Sequence, residues 1–556
     1  MEDGQGYTSK RLDHLGIVAG ICRRIGLIEQ IDEIVGQTER KVSVGQAVQA
    51  MVLNGLGFVS RPLYLAPEFL EGKPVEVLLD DEKLVAQDFN DDSLGRALDR
   101  LFEVGVTEIF AHVAPRALGE LDIRVETVHL DSTSFSLEGD YHQSSSDEKA
   151  IKITHGYSRD RRPDLKQAVL GMICAHRGAI PVWLSALDGN SSDAGNFPGM
   201  VEAYVAQFEA QGEELPTIVA DSALYSAGTL QRMKGIRWIT RVPAPIAEVK
   251  TLYRTVPLER MLPIGHEEEE ERYRIWPIEE VSHYGEVAQR WLLVYSEAAY
   301  RREASGLRRQ IDKERAEAEK ALKKLKRRTY PNREAALAVV QTLADTSWRF
   351  HTAAEVEPIR VPKYDRPGRP REDRQPDHLL WRPAGEVAED TEAIEGALTT
   401  KGKFVLATSE LERGEGGLTD EALIELYKSQ NTTVERGFRF LKDPLFFASG
   451  LFLKKPERVM ALLMVMGLCL LIYAACEQIV RSELARREET LPDQRGRPTS
   501  TPTMRRIFQI FEGIEVLTIE PPDGRRSRVV LNLSELHRRI LELLGWHVQK
   551  CYSLKT

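Results

Sequence analysis

Residues 459–476, VMALLMVMGLCLLIYAAC, run for 18 residues without a charge. A helix that is apolar all round offers water no face. It either spans a bilayer or is buried on every side. This run sits at the lower length limit of a span. Basic residues flank both ends, KKPER before and RSELARR after, so no orientation is readable. The expectation is a helix enclosed between layers of a soluble protein, with no membrane partner. The chain has the material to enclose it: 556 residues, 42% of them hydrophobic, enough for roughly two to four domains.

The net charge is −10, so there is no global basic field, and any polyanion must meet a local patch. The five cysteines, Cys22, Cys174, Cys469, Cys476 and Cys551, are odd in number and form no C-x-x-C pair. That pattern fits a reducing compartment and argues against a disulfide framework or a zinc ribbon. The first residues, MEDGQGYTSK, lack the apolar stretch of a signal peptide, and the expected location is the cytoplasm.

Helical spacing in LDHLGIVAGICRRIGLIEQIDEIVG and SVGQAVQAMVLNGLGF predicts a helical N-terminal domain over 1–118. From 119 to 245 the texture changes. RVETVHLDSTSFSL, LKQAVLGMICAH and IPVWLSAL read as three strands, the last two joined by the turn RGA. FPGMVEAYVAQFEAQ reads as a helix, LPTIVADSALYS as a strand, AGTLQRMKG as a helix and IRWITRVP as a strand. Three sequential strands, then strands alternating with helices, predict a mixed sheet with helices on its faces.

Residues 246–400 break this pattern and read as an insertion. HEEEEER (266–272) is expected as a solvated acidic loop, and VPKYDRPGRPREDRQPDH (361–378) as a Pro/Arg-rich linker. Between them, 301–328 carries 12 Lys and Arg against 5 Asp and Glu. It reads as a solvated helix held by i,i+4 pairs or as a surface for a polyanion. GKFVLATS and TDEALIELYKSQNTTVERGFRFLK resume the interrupted domain over 401–488, with Thr419 as a helix cap. Residues 489–556 read as a small strand–helix tail domain.

Three acids stand at informative places. Asp131 lies in VHLDSTS, Asp221 ends a strand in VADSALYS, and Glu435 sits on a helix in VERGFRFLKDP. Acids at strand ends beside a helix can meet at one edge of a sheet. Three of them could hold two divalent ions, which activate a water or hydroxyl and stabilise the leaving oxygen in phosphodiester cleavage. Carboxylates suit Mg²⁺ because it is a hard ion. Arg436, Arg439 and Lys442 around Glu435 would suit DNA phosphates, and 435, 439 and 442 fall near one helix face. Phe438 and Phe440 are expected in the core. The basic stretch HGYSRDRRPDLK (155–166) reads as a DNA contact near the acids or as a solvated hairpin loop. Ser132, Ser134 and Ser136 lack a G-x-S-x-G context. His142, His155 and His176 fall on different elements and are not expected to bind a metal.

LDHLGIVAGI, VHLDSTSFS, HGYSRDRRPDLKQ, LDGNSSD, VADSALYS, WITRVP and SQNTTVERGFRFLKDP together resemble bacterial insertion-sequence transposases of the DDE type, from about residue 11 to 480. The resemblance implies an α/β, RNase H-like catalytic domain interrupted by an insertion between the second Asp and the Glu. It implies a triad of Asp131, Asp221 and Glu435 with Mg²⁺ or Mn²⁺ as cofactor. It further implies double-stranded DNA as partner, a homodimer on paired transposon ends, and cut-and-paste transposition. The alternatives are a nuclease of the same fold that does not join strands, and a non-catalytic DNA-binding regulator. Related transposases often carry Y-x2-R-x3-E-x6-K. Here E-x6-K is present as Glu435 and Lys442, which implies that Lys442 contacts the transposon end. Tyr427 stands eight residues before Glu435 rather than seven, and Gln430 stands near the expected Arg. One extra residue turns a position by about 100° on a helix. The N-terminal domain and the basic helix are expected to share end recognition.

Overall fold

The computed structural model describes residues 6–553 apart from 37–38, 59–61, 140, 142–146, 212–213, 265–272, 366–373, 415–416, 444–445, 447–452 and 521–525. The acidic run 266–272, His142 and the stretch 366–373 of the Pro/Arg-rich linker lie outside the described residues. The chain forms two compact units. One takes in 1–240, 283–289 and 408–556; the other takes in 241–282 and 290–407.

The first unit is mixed α/β. Its sheet is built from β1 (Thr127–Leu137), β2 (Lys166–Ala175), β3 (Pro181–Leu187), β4 (Thr217–Ala220) and β5 (Trp238–Val242), in the order β3-β2-β1-β4-β5. β1, β2 and β3 pair antiparallel. The β2–β3 turn uses Gly178, whose φ of 78° suits a residue without Cβ. β4 runs parallel to β1, and β5 parallel to β4, because helices carry the chain back between them.

Each face of the sheet takes a helix at a glycine. Gly171 pairs with Ser132, and a Cβ there would lie 2.5 Å from Met200 Sδ on α1 (Asp193–Gln211). The opposite face is covered by α2 (Asp420–Lys428), α3 (Val434–Leu441) and α4 (Pro456–Arg487). There Gly437 of α3 approaches Met172, the β2 partner of Asp131; its Cβ would stand 3.7 Å from Met172 Cε and 2.9 Å from Leu470 Cδ2.

α4 contains the uncharged run 459–476. By length and composition it could cross a membrane, yet 94% of its most apolar window is buried inside the protein. It packs on helices Val44–Leu56 and Asp91–Val104 and on β3. All five cysteines are free and buried.

The N-terminal region contains helices Leu15–Arg24, Leu27–Val35, Val44–Leu56, Asp91–Val104 and Val106–Glu120. Ser43 caps the third with a capping box, and Asn90 caps the fourth. Within this mainly helical region Gly6–Arg11 is a strand, paired antiparallel with Glu515–Glu520, which in turn pairs with Ser527–Leu531. The tail beyond 489 therefore shares a sheet with the first residues. The Tyr552 hydroxyl also donates to the Asp13 carbonyl at 2.6 Å.

In the second unit, strands Leu262–Ile264, Tyr273–Pro277 and Arg290–Ser296 pair antiparallel, with Lys403–Thr408 beside the last. The basic stretch lies in a 29-residue helix, Glu297–Leu325, that buries Leu307, Ile311, Ala318 and Leu322. Its wet face carries i,i+4 pairs such as Arg301–Glu297 and Arg315–Glu319, both at 3.1 Å. The buried Lys403 donates from Nζ to the carbonyls of Tyr253 and Val256, each at 2.8 Å.

Candidate functional site

The parallel ladder between β1 and β4 ends at the pair Leu130–Ala220. The next residue on each strand is an aspartate, Asp131 and Asp221, so the two acids come together where the ladder ends, close enough for the charge of Asp221 to act on Asp131. β4 stops there. Asp221 leaves the sheet as the cap of a 3-10 turn, its carboxylate accepting from Ala223 N at 2.9 Å and its carbonyl from Thr240 Oγ1 at 2.6 Å. Asp131 stays in β1, and its Oδ1 accepts from Ser132 N at 2.7 Å. Burial pushes the Asp131 carboxyl up to about 6. The Arg159 guanidinium and the Ser132 N–H pull the other way, and the negative charges of Asp221 and Asp193 add to the upward push.

Sequence reasoning did not single out Asp193. It opens α1, and Ser132 Oγ donates to its Oδ1. Arg159, from the loop before β2, donates to Asp193 Oδ2 at 2.6 Å and to the Ser132 carbonyl, and lies 3.5 Å from Asp131 Oδ1. Asp193 falls in LDGNSSD, but nothing in that string says that it meets β1.

The helix carrying Glu435 is fixed over the same strand face at two points. Ser429 Oγ lies 3.2 Å from His129 Nε2 and 3.1 Å from His176 Nδ1, and the two ring nitrogens are 3.1 Å apart. Lys442 Nζ stands 5.7 Å from the centre of the Phe135 ring and pairs with Asp160 at 2.7 Å. His129, Asp131 and Phe135 alternate onto one face. From Asp131 to Phe135 the strand advances about 13 Å, and from Glu435 to Lys442 the helix advances about 10 Å. α3 thus runs along β1, with Glu435, Arg439 and Lys442 on one flank. Glu435 itself is exposed. Among the described residues no group of three or more His, Cys, Asp or Glu could hold a metal ion. The fold brings Asp131 and Asp221 together and sets Glu435 on the covering helix, without joining all three into one ligand set.

The basic residues beside Glu435 diverge. Arg436 pairs with the buried Glu477 of α4, whose carboxylate also takes Arg481 at 2.9 Å and Met504 N at 3.0 Å. Arg439 is exposed and donates to the Asn431 carbonyl at 3.3 Å. Phe438 is buried, and Phe440 joins an aromatic cluster with Phe446 and Tyr473, at 4.6 and 4.4 Å between ring centroids.

The segment read as one helical region, 419–442, is interrupted. Thr419 caps α2 as expected, accepting from Ala422 N at 3.1 Å. The helix then passes into a 3-10 turn, Ser429–Thr432, and breaks at Thr433 with ψ −96°. Thr433 Oγ1 donates to the Ser429 carbonyl at 2.6 Å, and Ser429 Oγ to the Leu426 carbonyl at 2.6 Å. Such side-chain bonds compete with the helix ladder. Tyr427 and Glu435 therefore do not share a helix, and a spacing count between them does not fix their relative direction.

Residues 7–115 match a family described as a domain of unknown function, DUF4277. No curated protein matches the sequence. Among solved structures, a piggyBac transposase synaptic complex with hairpin DNA is similar at 10% identity, over 91% of this chain and 82% of that one, with a TM-score of 0.37. A Mos1 transposase paired-end complex with the left transposon end is similar at 10% identity, over 37% of this chain and 60% of that one, with a TM-score of 0.15.

Proposed function

We propose that the protein is a DNA transposase with an RNase H-like catalytic core of the DDE type, in which Asp131, Asp221 and Glu435 are the catalytic carboxylates. The observation that carries this reading is the register of β1 and β4, which makes Asp131 and Asp221 neighbours where β4 ends. The motif resemblance supplies the reaction class.

The donor chemistry suits Mg²⁺ or Mn²⁺. Asp131 and Asp221 offer hard, anionic oxygens side by side. Burial and a neighbouring like charge make an ionised Asp131 costly, and a cation would relieve that cost. Bound there, a divalent ion would polarise a phosphoryl oxygen and acidify the attacking water or hydroxyl. Glu435 is the third carboxylate, on the helix over the same strand face. Arg439 and Lys442, on the flank of Glu435, hold the DNA backbone. Residues 1–118 and the basic helix Glu297–Leu325 recognise the transposon ends, and a homodimer pairs two ends.

The test is strand cleavage of DNA bearing the element's own terminal repeats, with Mg²⁺, by the native protein and by Glu435→Gln. Cleavage at the repeat boundary by the native protein alone, followed by joining of the 3′-hydroxyl to target DNA, supports the proposal. Cleavage without joining leaves a nuclease. Equal cleavage by both proteins removes Glu435 from the site. Binding of ends without cleavage by either protein leaves a regulator.

A further inference from the structure

Arg159 is anchored beside Asp131 but not by it. Its short contacts go to Asp193 Oδ2, at 2.6 Å, and to the Ser132 carbonyl, whereas Asp131 Oδ1 stands 3.5 Å away. A direct charge-assisted bond between such groups is about 2.7–2.9 Å long. Asp193 is held in turn by Ser132 Oγ, so Asp193, Ser132 and Arg159 form one bonded unit next to the acid. Arg159 keeps 37% of its side chain exposed. A guanidinium carries five N–H donors in a planar fork that matches phosphate oxygens, more than these contacts use. Its chain neighbour Asp160 takes Lys442 at 2.7 Å. Consecutive loop residues therefore reach the Asp131 strand and the Glu435 helix.

We propose that Arg159 is the group that contacts the phosphodiester undergoing cleavage, and that Asp193 is the residue that positions it. Without metal, Arg159 also serves as the nearby counter-charge of Asp131. With Asp131 engaged by a cation, Arg159 stays anchored on Asp193 and turns its remaining donors to a non-bridging phosphate oxygen. The inference rests on Asp131 being a metal-binding carboxylate. The bland alternative is an ion pair that only fastens the 155–165 loop to α1.

The full-length protein, Arg159→Gln, Arg159→Lys and Asp193→Asn would be compared in two measurements. One is Mn²⁺ binding by calorimetry without DNA; the other is kcat and KM for cleavage of terminal-repeat DNA. Arg159→Gln is expected to bind Mn²⁺ several-fold tighter, because a competing cation is gone, while kcat falls by about 100-fold. Arg159→Lys should bind Mn²⁺ as the native protein does yet recover little kcat, because an ammonium has no fork. Asp193→Asn frees the guanidinium to close on Asp131, so Mn²⁺ should bind more weakly and kcat should fall. A fastening role predicts a lower melting temperature with Mn²⁺ affinity and kcat unchanged in the folded fraction, and that result overturns the proposal. Failure of the native protein to bind Mn²⁺ would remove the metal reading of Asp131 as well, which separates the two failures.

Discussion

The guanidinium of Arg436 is tied to the buried carboxylate of Glu477, 41 residues further along the chain. The pair links α3 to α4, and Glu477 also holds Arg481 and the start of helix Met504–Ile510 through Met504 N. Arg436 and Arg439, three residues apart, should therefore fail differently. Glu477→Ala strands two arginines and is expected to cost about 3–5 kcal/mol. Arg436→Ala leaves Glu477 with Arg481 and should cost about 1–3 kcal/mol, with little change in the salt dependence of DNA binding. Arg439→Ala should leave stability alone and lower the salt slope by about one. Urea melts and binding at two salt concentrations decide this. A reduced slope for Arg436→Ala at unchanged stability would put it on the DNA instead.

His14 is buried, with Nε2 2.8 Å from the Leu56 carbonyl and its ring stacked on Phe508 at 4.2 Å. Burial holds the imidazole down to about 4, against the upward pull of the Leu56 carbonyl and Asp13. The unfolded chain takes up this proton near 6.5 while the folded chain refuses it. The contribution of His14 is therefore present above about 6.5 and is lost as pH falls towards 4, by about 3 kcal/mol in full. His129, held down to about 3 by burial, acts with the same sign. The check is thus the difference between native protein and His14→Gln in melts from pH 7 to 4.5. Parallel curves would mean that His14 does not carry the loss.

Asp131 has the opposite sign. Its folded pKa of about 6 lies above the ordinary carboxylate value. Between about 4 and 6 the folded protein keeps a proton that the unfolded chain has released, so this residue costs stability as pH rises through that window. Asp131→Asn should stabilise the metal-free protein at pH 7 by about 1–3 kcal/mol while abolishing cleavage. Mn²⁺ must displace the same proton, so its affinity should drop about tenfold from pH 7 to 5 and stay level above about 7. An affinity flat across pH 5–7 would place the ion elsewhere.

The succession of strands and helices along 119–245 could be read because each strand is a β-branched or apolar run bounded by turn residues. Asp131 and Asp221 stood out because each follows such a run. The strand Gly6–Arg11 left no trace, since it is largely exposed and is held by backbone bonds to residues about 500 positions away. The inward turn of Arg436 depends on a partner on another helix. The meeting of His129 with His176, and of Asp193 with Arg159, depends on hairpin register and loop course, which local periodicity does not encode.

The break before α3 makes Ser429 the residue that sets where the Glu435 helix begins. Its hydroxyl donates to the Leu426 carbonyl at 2.6 Å, so it faces the imidazole pair as the acceptor of a single N–H. Only one proton fits between His129 Nε2 and His176 Nδ1, which are 3.1 Å apart. Burial keeps both rings below their ordinary pKa, so each is neutral at pH 7 and one N–H is shared. Ser429→Ala removes the acceptor and should cost about 1–2 kcal/mol. The loss should be local, with amides of 434–441 exchanging faster while those of β1 keep their protection. Ser429→Thr restores the hydroxyl and should recover most of that protection, together with cleavage activity. Unchanged exchange across α3 in Ser429→Ala would mean that packing of Val434, Phe438 and Leu441, all buried, seats the helix without the histidine contact.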